Sequence, residues 1–327
     1  MPSLKGWAPE FVIGTVPGHE EETDLHTEKT IRGARDISDR LFAFLLILPA
    51  MIVIVFVIIY PLANAIYTSF FRYFLTDGLG MRFIGLQNYR RMLASIEFWR
   101  AFAHTIEYVG GTVALEFVIA FALALLVNTR FPLKNLINSL LFVPWIIPSV
   151  VVAFIARFLF FDPFHGIVNV VLEAIGIIPQ FIPWLKRPDL AMSTVIAATT
   201  WKMLPFMFVI LYAGLQAIPK EEVEAAKIDG AGAFQRFLHV TLPNMREIIT
   251  LATILEFIWQ FQYLTIIWTT TRGGPIDRTT TLPILIYRVS FMGSLNMGYA
   301  STVGVFWLVF LLGFSMIYVR FVGRREG

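Results

Sequence analysis

Four side chains, Glu256, Trp259, Gln260 and Tyr263, stand at i, i+3, i+4 and i+7. In a helix that spacing puts them on one face. Trp and Tyr offer flat apolar surfaces that suit the C–H faces of a polyhydroxylated ligand, and Glu and Gln can fix hydroxyl groups. The flanking residues are strongly apolar, and a Glu inside a membrane is costly unless it faces a cavity or a partner. A plainer reading of the same stripe is helix–helix packing with one buried ion pair, such as Lys202 to Glu256. Covalent chemistry finds no support. Neither His-Glu-x-x-His nor Gly-x-Ser-x-Gly occurs. The histidines at 19, 26, 104, 165 and 239 show no ligand spacing, so no metal site is expected. There is no cysteine for a disulfide or thiolate and no Walker A loop. The chain is therefore not expected to be an enzyme, and any ATP hydrolysis must occur elsewhere.

The elements that position these residues are membrane helices. Of 327 residues 57% are hydrophobic and only 15% charged, against roughly 25% charged in soluble domains. Mean hydropathy is +0.70. These values exclude a soluble enzyme, a disordered protein and a coiled coil. Residues 41–71, 289–319 and 135–156 contain no Asp, Glu, Lys or Arg, and roughly 20 apolar residues span a bilayer as a helix. Uninterrupted apolar runs fit helices, whereas barrel strands would alternate. The net charge of +3 is small, and no basic run is long enough to suggest nucleic-acid binding.

Six spans are expected, at about 41–70, 102–129, 136–160, 190–217, 245–271 and 297–321. Pro49, Pro61, Pro144, Pro148 and Pro205 fall inside them and are expected to kink or interrupt the helices. Residues 1–40 read as a polar cytoplasmic tail with an acidic patch at Glu20, Glu21, Glu22 and Asp24 and a short amphipathic helix before the membrane. The first apolar run begins too late, and is too long, for a cleaved signal peptide. Residues 167–178 are apolar but too short to span, so they read as interfacial or re-entrant. With the N-terminus inside, inner segments hold 13 Lys and Arg and outer ones 10, which favours cytoplasmic termini.

The inner segment 219–244 is the informative one. It carries Glu221, Glu222, Glu224-Ala225-Ala226, Asp229-Gly230-Ala231, Phe237 and Leu242-Pro243. The pattern predicts a short helix, a glycine turn and a second helical run closed by Pro243. Gly230 suits a turn that needs positive φ, the alanines permit close approach of a partner backbone, and the glutamates favour a helix N-terminus.

This Glu-Ala-Ala…Asp-Gly-Ala…Leu-Pro spacing resembles the EAA motif of importer-type ABC transporter permeases. Gly85-Leu86-Gln87-Asn88-Tyr89, Gly166 with Asn169, Trp201-Lys202 with Pro205-Phe206, Gly214-Leu215-Gln216, Gly273-Gly274-Pro275 and Gly298-Tyr299-Ala300 are similar to the carbohydrate-uptake branch, in particular the first permease of maltose-type and glycerol-phosphate-type systems. The chain departs from the maltose permease in lacking a large outer insertion and extra early spans.

The resemblance implies an all-α, six-helix permease of the type I importer fold over residues 41–327, in a bacterial or archaeal plasma membrane. It implies a second homologous permease, two ATPase subunits that bind ATP and Mg, and an extracytoplasmic sugar-binding protein as partners, with lipid around them and no cofactor in this chain. The coupling residues would be Glu221, Glu222, Glu224, Ala225, Ala226, Asp229, Gly230, Ala231, Phe237 and Pro243. The sugar-contacting residues would be Lys202, Met203 and Phe206 on the fourth span and Glu256, Trp259, Gln260 and Tyr263 on the fifth. Lys202 and Arg157 lie in spans, and Arg272, Arg278 and Arg288 near the outer mouth. Unless Glu107, Glu116 and Glu256 neutralise the buried cations, they would favour an acidic sugar such as a uronate oligosaccharide or a sugar phosphate. The rival class is an ion-coupled secondary sugar transporter. It would need paired inverted repeats and a coupling carboxylate, and the halves do not match, although Glu116 and Glu256 resemble such groups.

Overall fold

A computed structural model describes residues 39–78, 80–129, 134–160 and 166–323. The acidic patch and most of the expected N-terminal tail lie outside the described residues, as do residues 161–165 and 324–327. Two compact units are distinguished, residues 1–62 and 63–327. Among the described residues the first holds α1 (Asp39–Ile54) and a π-helical turn, Val55–Ile59, that leads into α2 (Tyr60–Ser69). Pro49 sits within α1 without ending it. Pro61 lacks an N–H, and the π turn immediately before it absorbs the lost bond, so the helix continues where an interruption was expected.

The second unit opens with a two-stranded antiparallel ribbon, β1 (Phe71–Arg72) and β2 (Arg82–Phe83), followed by α3 (Gln87–Ala94). Asn88 Nδ2 donates to the carbonyls of Ser69 at 3.0 Å and Phe71 at 2.9 Å, and Tyr89 Oη meets Ser69 Oγ at 2.8 Å. Gly298 lies so close that a Cβ there would fall 2.1 Å from the Phe71 carbonyl oxygen. Two of the expected motifs, Gly85–Tyr89 and Gly298–Ala300, thus knit this segment to the start of the last helix.

The core is formed by α4 (Ile96–Val127) and α8 (Pro188–Ala217), the two long uninterrupted helices that pack along each other. Gly111 admits Ile196, and Gly214 admits Ile248 and Met245, each closer than a Cβ would allow. Between them in sequence lie α5 (Lys134–Ile146), α6 (Ser149–Phe160) and the short α7 (Ile167–Ala174). Asn169 fixes α7 by bonds to both polar atoms of the Ile182 backbone and to Trp184 Nε1. After α8 come α9 (Lys220–Ile228), α10 (Ala233–Arg236), a π turn Phe237–Thr241, α11 (Leu242–Asn244), α12 (Arg246–Phe261), α13 (Thr265–Thr271), α14 (Leu282–Tyr287) with a π turn to Met292, and α15 (Met297–Gly323). Phe257, Phe261, Trp307, Phe310 and Phe314 form a ring ladder that binds α12 to α15.

Among the described residues four helices are long and apolar enough to cross a membrane, and six elements are if each of two bent helix pairs counts as one span. The expected third span breaks between Ile146 and Ser149 with a 99° bend, and the fifth between Phe261 and Thr265 with a 45° bend. Pro144 and Pro148 account for the first break, since each removes a helical donor within four residues of the other. The second span starts at Ile96, six residues earlier than its apolar run, because Ser95 Oγ accepts from Phe98 N and caps it. The helix Leu282–Met292 was not expected; its apolar run is too short to span.

Candidate functional site

Segment 219–244 folds as a self-contained turn. Pro219 precedes α9, Glu221 and Glu222 occupy its first turn, and Lys227 its last. Gly230 takes φ +81°. Ala231 N donates to the Ala226 carbonyl at 2.9 Å and Gly230 N to the Lys227 carbonyl at 3.1 Å, the paired bonds of a Schellman closure. Gln235 Oε1 accepts from Gly232 N at 2.8 Å and starts α10, while Arg236 Nη1 donates to the Ala231 carbonyl at 2.5 Å. Asn244 Nδ2 bonds Glu222 Oε2 at 2.7 Å, tying the two helical runs together. Pro243 does not close the second run; it sits in the first turn of α11, where no donor is needed, and the chain continues into α12.

Most of this element faces outward. Glu221, Glu222, Glu224, Ala225, Asp229, Gly230 and Pro243 are exposed, and Ala226 and Ala231 half-buried. Ile228 is 86% exposed and Phe234 71%, apolar residues that only a partner would cover. Phe237 turns the other way and meets Phe121 of α4 at 5.9 Å between ring centroids. The turn is therefore anchored in the core by one ring while its apex stands free of the described residues.

The intramembrane residues divide. Glu256 and Gln260 are fully buried, Met203 and Lys202 nearly so, Phe206 and Tyr263 half-buried, and Trp259 is 42% exposed. One face does not hold all four fifth-span residues. Successive helical residues turn by 100°, so Gln260 points into the bundle while its neighbour Trp259 points out. Tyr263 lies beyond the end of α12, in the break. Gln260 Nε2 donates to Glu116 Oε1 at 3.3 Å, and Tyr108 Oη donates to Gln260 Oε1 at 3.1 Å and Thr199 Oγ1 at 3.2 Å. Glu116 Oε2 and both carboxylate oxygens of Glu256 have no donor among the described residues.

The ion pair between Lys202 and Glu256 is absent. Lys202 Nζ instead donates to three carbonyls at the end of α5, those of Pro144 at 3.2 Å, Trp145 at 2.6 Å and Ile147 at 2.6 Å. Pro148 has no N–H to give the Pro144 carbonyl, the break after Ile146 leaves those of Trp145 and Ile147 at the open end of α5, and a cation is the strongest cap available at a helix C-terminus. Tyr263 Oη donates to Ser149 Oγ at 2.7 Å, so the break in the fifth span meets the break in the third. Trp259 lies against Phe206 with centroids 4.4 Å apart. Phe206 thus packs on Trp259, and Tyr263 meets Ser149 where the two broken helices touch; broken helices are a means by which membrane transporters present backbone polar groups to a ligand. Sequence reasoning missed Ser149, Tyr108 and Thr199. The signal for the first was the Pro144–Pro148 pair, which predicts exposed carbonyls next to it.

Of the cations expected near the outer mouth, Arg278 is held by Glu107 at 2.7 and 3.0 Å and Arg288 by Asp277 at 2.6 Å. Neither charge is uncompensated.

Residues 117–326 match the family described as binding-protein-dependent transport system inner membrane component. The chain is 36% identical over 293 residues to the sulfoquinovosyl glycerol transport system permease protein of Agrobacterium fabrum, covering 89% of this chain and 93% of that one. It is 33% identical over 283 residues to the trehalose/maltose transport system permease protein of Thermococcus litoralis, covering 86% and 93%. A crystal structure of a bacterial ABC transporter that imports the acidic polysaccharide alginate contains a chain with the same fold, at TM-score 0.77, 21% identity and coverage of 90% and 100%. A methionine ABC transporter chain is more distant, at TM-score 0.51 and 69% of this chain.

Proposed function

The chain belongs to the inner membrane components of binding-protein-dependent transport systems, and from that premise we propose that it is one of two permeases in an ATP-driven importer of oligosaccharides or related sugars. The membership and the helical fold make it a multi-pass membrane permease of the type I importer kind. They give no support to the ion-coupled secondary transporter. Two relatives named for sugar or sugar-glycoside transport support the substrate class.

One observation carries the mechanism: the Schellman-closed turn at Gly230, with Ile228 and Phe234 exposed at its apex and Phe237 anchored on Phe121. The apex docks in an ATPase subunit outside this chain, which binds ATP and Mg. Closure of the ATPases moves the turn, and Phe237 passes the displacement to α4. With both termini cytoplasmic, the turn lies inside the cell and the ribbon of β1 and β2 outside. The permease domain spans residues 41–327 behind a cytoplasmic tail. A binding protein delivers sugar from outside to the faces of Phe206, Trp259 and Tyr263, with the buried Met203 one helical turn before Phe206 on α8. Lys202, Glu256 and Gln260 act on the ligand through the shape of the broken helices.

The test is reconstitution. The tagged chain, expressed with its genomic neighbours, is expected to co-purify with a second permease and two copies of an ATPase, and to import sugar in proteoliposomes only with ATP and the binding protein. Uptake driven by a proton gradient without ATP would overturn the reading.

A further inference from the structure

The two sides of α9 have different surroundings. Lys220, Val223, Glu224 and Lys227 stand at i, i+3, i+4 and i+7 and form one stripe. Glu221, Ala225 and the exposed Ile228 occupy a neighbouring arc, the one proposed to meet the ATPase. The stripe lines a cavity of about 670 Å³. Its other walls include the C-terminal ends of α4 and α8 and the first residue of α5, so three spanning segments and the coupling turn converge there.

Lys134, Lys220 and Lys227 give this cavity three cations, and Glu224 is its one acid among the described residues. None of the three lysines forms an ion pair among the described residues. Lys134 Nζ stands 5.3 Å from the centroid of the Tyr212 ring, which orients the ammonium without neutralising it. Asn128 and Gln216 add amide donors, and Leu125, Leu215, Ile218 and Val223 make much of the remaining wall apolar.

We propose that this cavity binds the headgroup of one anionic phospholipid. Its level selects that ligand, because spanning helices end where headgroups begin. Its composition does so too. A cationic rim holds a lipid phosphate, an apolar wall suits the glycerol and the start of the acyl chains, and basic pockets between spanning helices bind anionic headgroups in this way. The phosphate joins Lys134, at the start of the third span, to Lys220 and Lys227 on the coupling helix. The first half of that span ends at the break capped by Lys202. A bound lipid therefore ties the coupling turn to a half-helix of the proposed ligand face. The site itself stands apart from the sugar-importer reading; only this consequence for coupling rests on it.

The test is equilibrium binding of dioleoyl phosphatidylglycerol and of zwitterionic dioleoyl phosphatidylcholine to the purified whole transporter in detergent, read by native mass spectrometry. Phosphatidylglycerol is expected to bind more tightly, with an advantage that shrinks as salt rises. Lys220→Gln and Lys227→Gln should each weaken it about fivefold and leave phosphatidylcholine unchanged, whereas Lys220→Arg and Lys227→Arg should keep it. Glu224→Gln should tighten it, since a like charge beside the phosphate is removed; a merely structural role for the stripe gives no such gain. Co-purification of the partner subunits checks that each variant folds, and the comparison of the two lipids on the unaltered transporter needs no variant. Equal binding of the two lipids, or lysine variants that bind phosphatidylglycerol as the unaltered chain does, would overturn the site. Displacement of the lipid by inorganic phosphate at matched ionic strength would give the cavity to a free anion, and loss of the ATPase from the lysine variants at unchanged lipid affinity would give it to a protein; either overturns the proposal. A transporter that shows the expected lipid selectivity yet imports nothing with ATP and the binding protein would remove the importer reading and leave the lipid site standing.

Discussion

The ammonium of Lys202 donates to the carbonyl of Trp145 at 2.6 Å. A residue of the fourth span thereby caps the first half of the broken third span, and the carbonyls of Pro144 and Ile147 share the same cation. The position that the family resemblance offers for a sugar contact is engaged in holding the backbone that shapes the site.

Replacement of Lys202 by Met should therefore cost stability before it costs affinity. The change leaves three carbonyls uncapped in a low-dielectric setting, and a hydrogen bond to a charged group contributes about 1.5–3 kcal/mol. We expect the Tm of the purified complex to fall by several degrees, while sugar binding to the surviving complex changes little. An unaltered Tm with weakened binding would return Lys202 to the ligand.

Gly230 is a backbone requirement. Nothing lies within 4 Å of where its Cβ would be, yet its φ is +81°, so a side chain meets strain and no clash. Gly230→Val should cost about 1–2 kcal/mol locally and misplace the apex. Uptake per ATP hydrolysed is expected to drop several-fold with membrane insertion unchanged; full coupling in this variant would show that the turn is not the transmitting element.

Phe237→Ala tests the link from turn to core. The ring packs on Phe121, and its removal leaves the exposed apex intact. The ATPase subunits should still co-purify, but nucleotide should no longer drive the transition in α4, as read by cross-linking of outer-end cysteine pairs. Retained nucleotide response would mean that Asn244 and Glu222 suffice to carry the motion.

Trp259→Ala should weaken sugar affinity about tenfold, in line with the 1–3 kcal/mol typical of a lost stacking or packing contact at a partly exposed site. Assembly should persist, because the ring is 42% exposed and contributes little to the core of this chain. Glu256→Gln provides the contrast: its carboxyl is fully buried, so a change in binding from this variant would have to come with altered thermal stability. Sugar binding lost at Glu256 with an unchanged Tm would place that carboxyl on the ligand instead.

Composition and local pattern alone determined the membrane class, the extents of the first, fourth and sixth spans to within a few residues, and the glycine turn at Gly230. Those features follow from short-range physics. Apolar length fixes a spanning helix, and the Asp229-Gly230-Ala231 run fixes a C-terminal closure because a Cβ resists positive φ. Gly298 and Asn88 were legible as motif positions, but their purpose was not, since the Phe71 carbonyl that both approach is distant in sequence.

The tertiary structure decided the rest. Periodicity placed Glu256 and Gln260 on the same face as Trp259, and only the position of α4 and α8 turned the first two inward and left the third outside. It could not tell a straight span from a broken one, since Pro144 and Pro148 fit both. The role of Lys202 depended on which acceptors lay within reach of its ammonium, and those were carbonyls at a helix break more than fifty residues earlier. Charge on a side chain is written in the sequence, whereas its partner is chosen by the packing of helices that the bilayer lets meet in many ways.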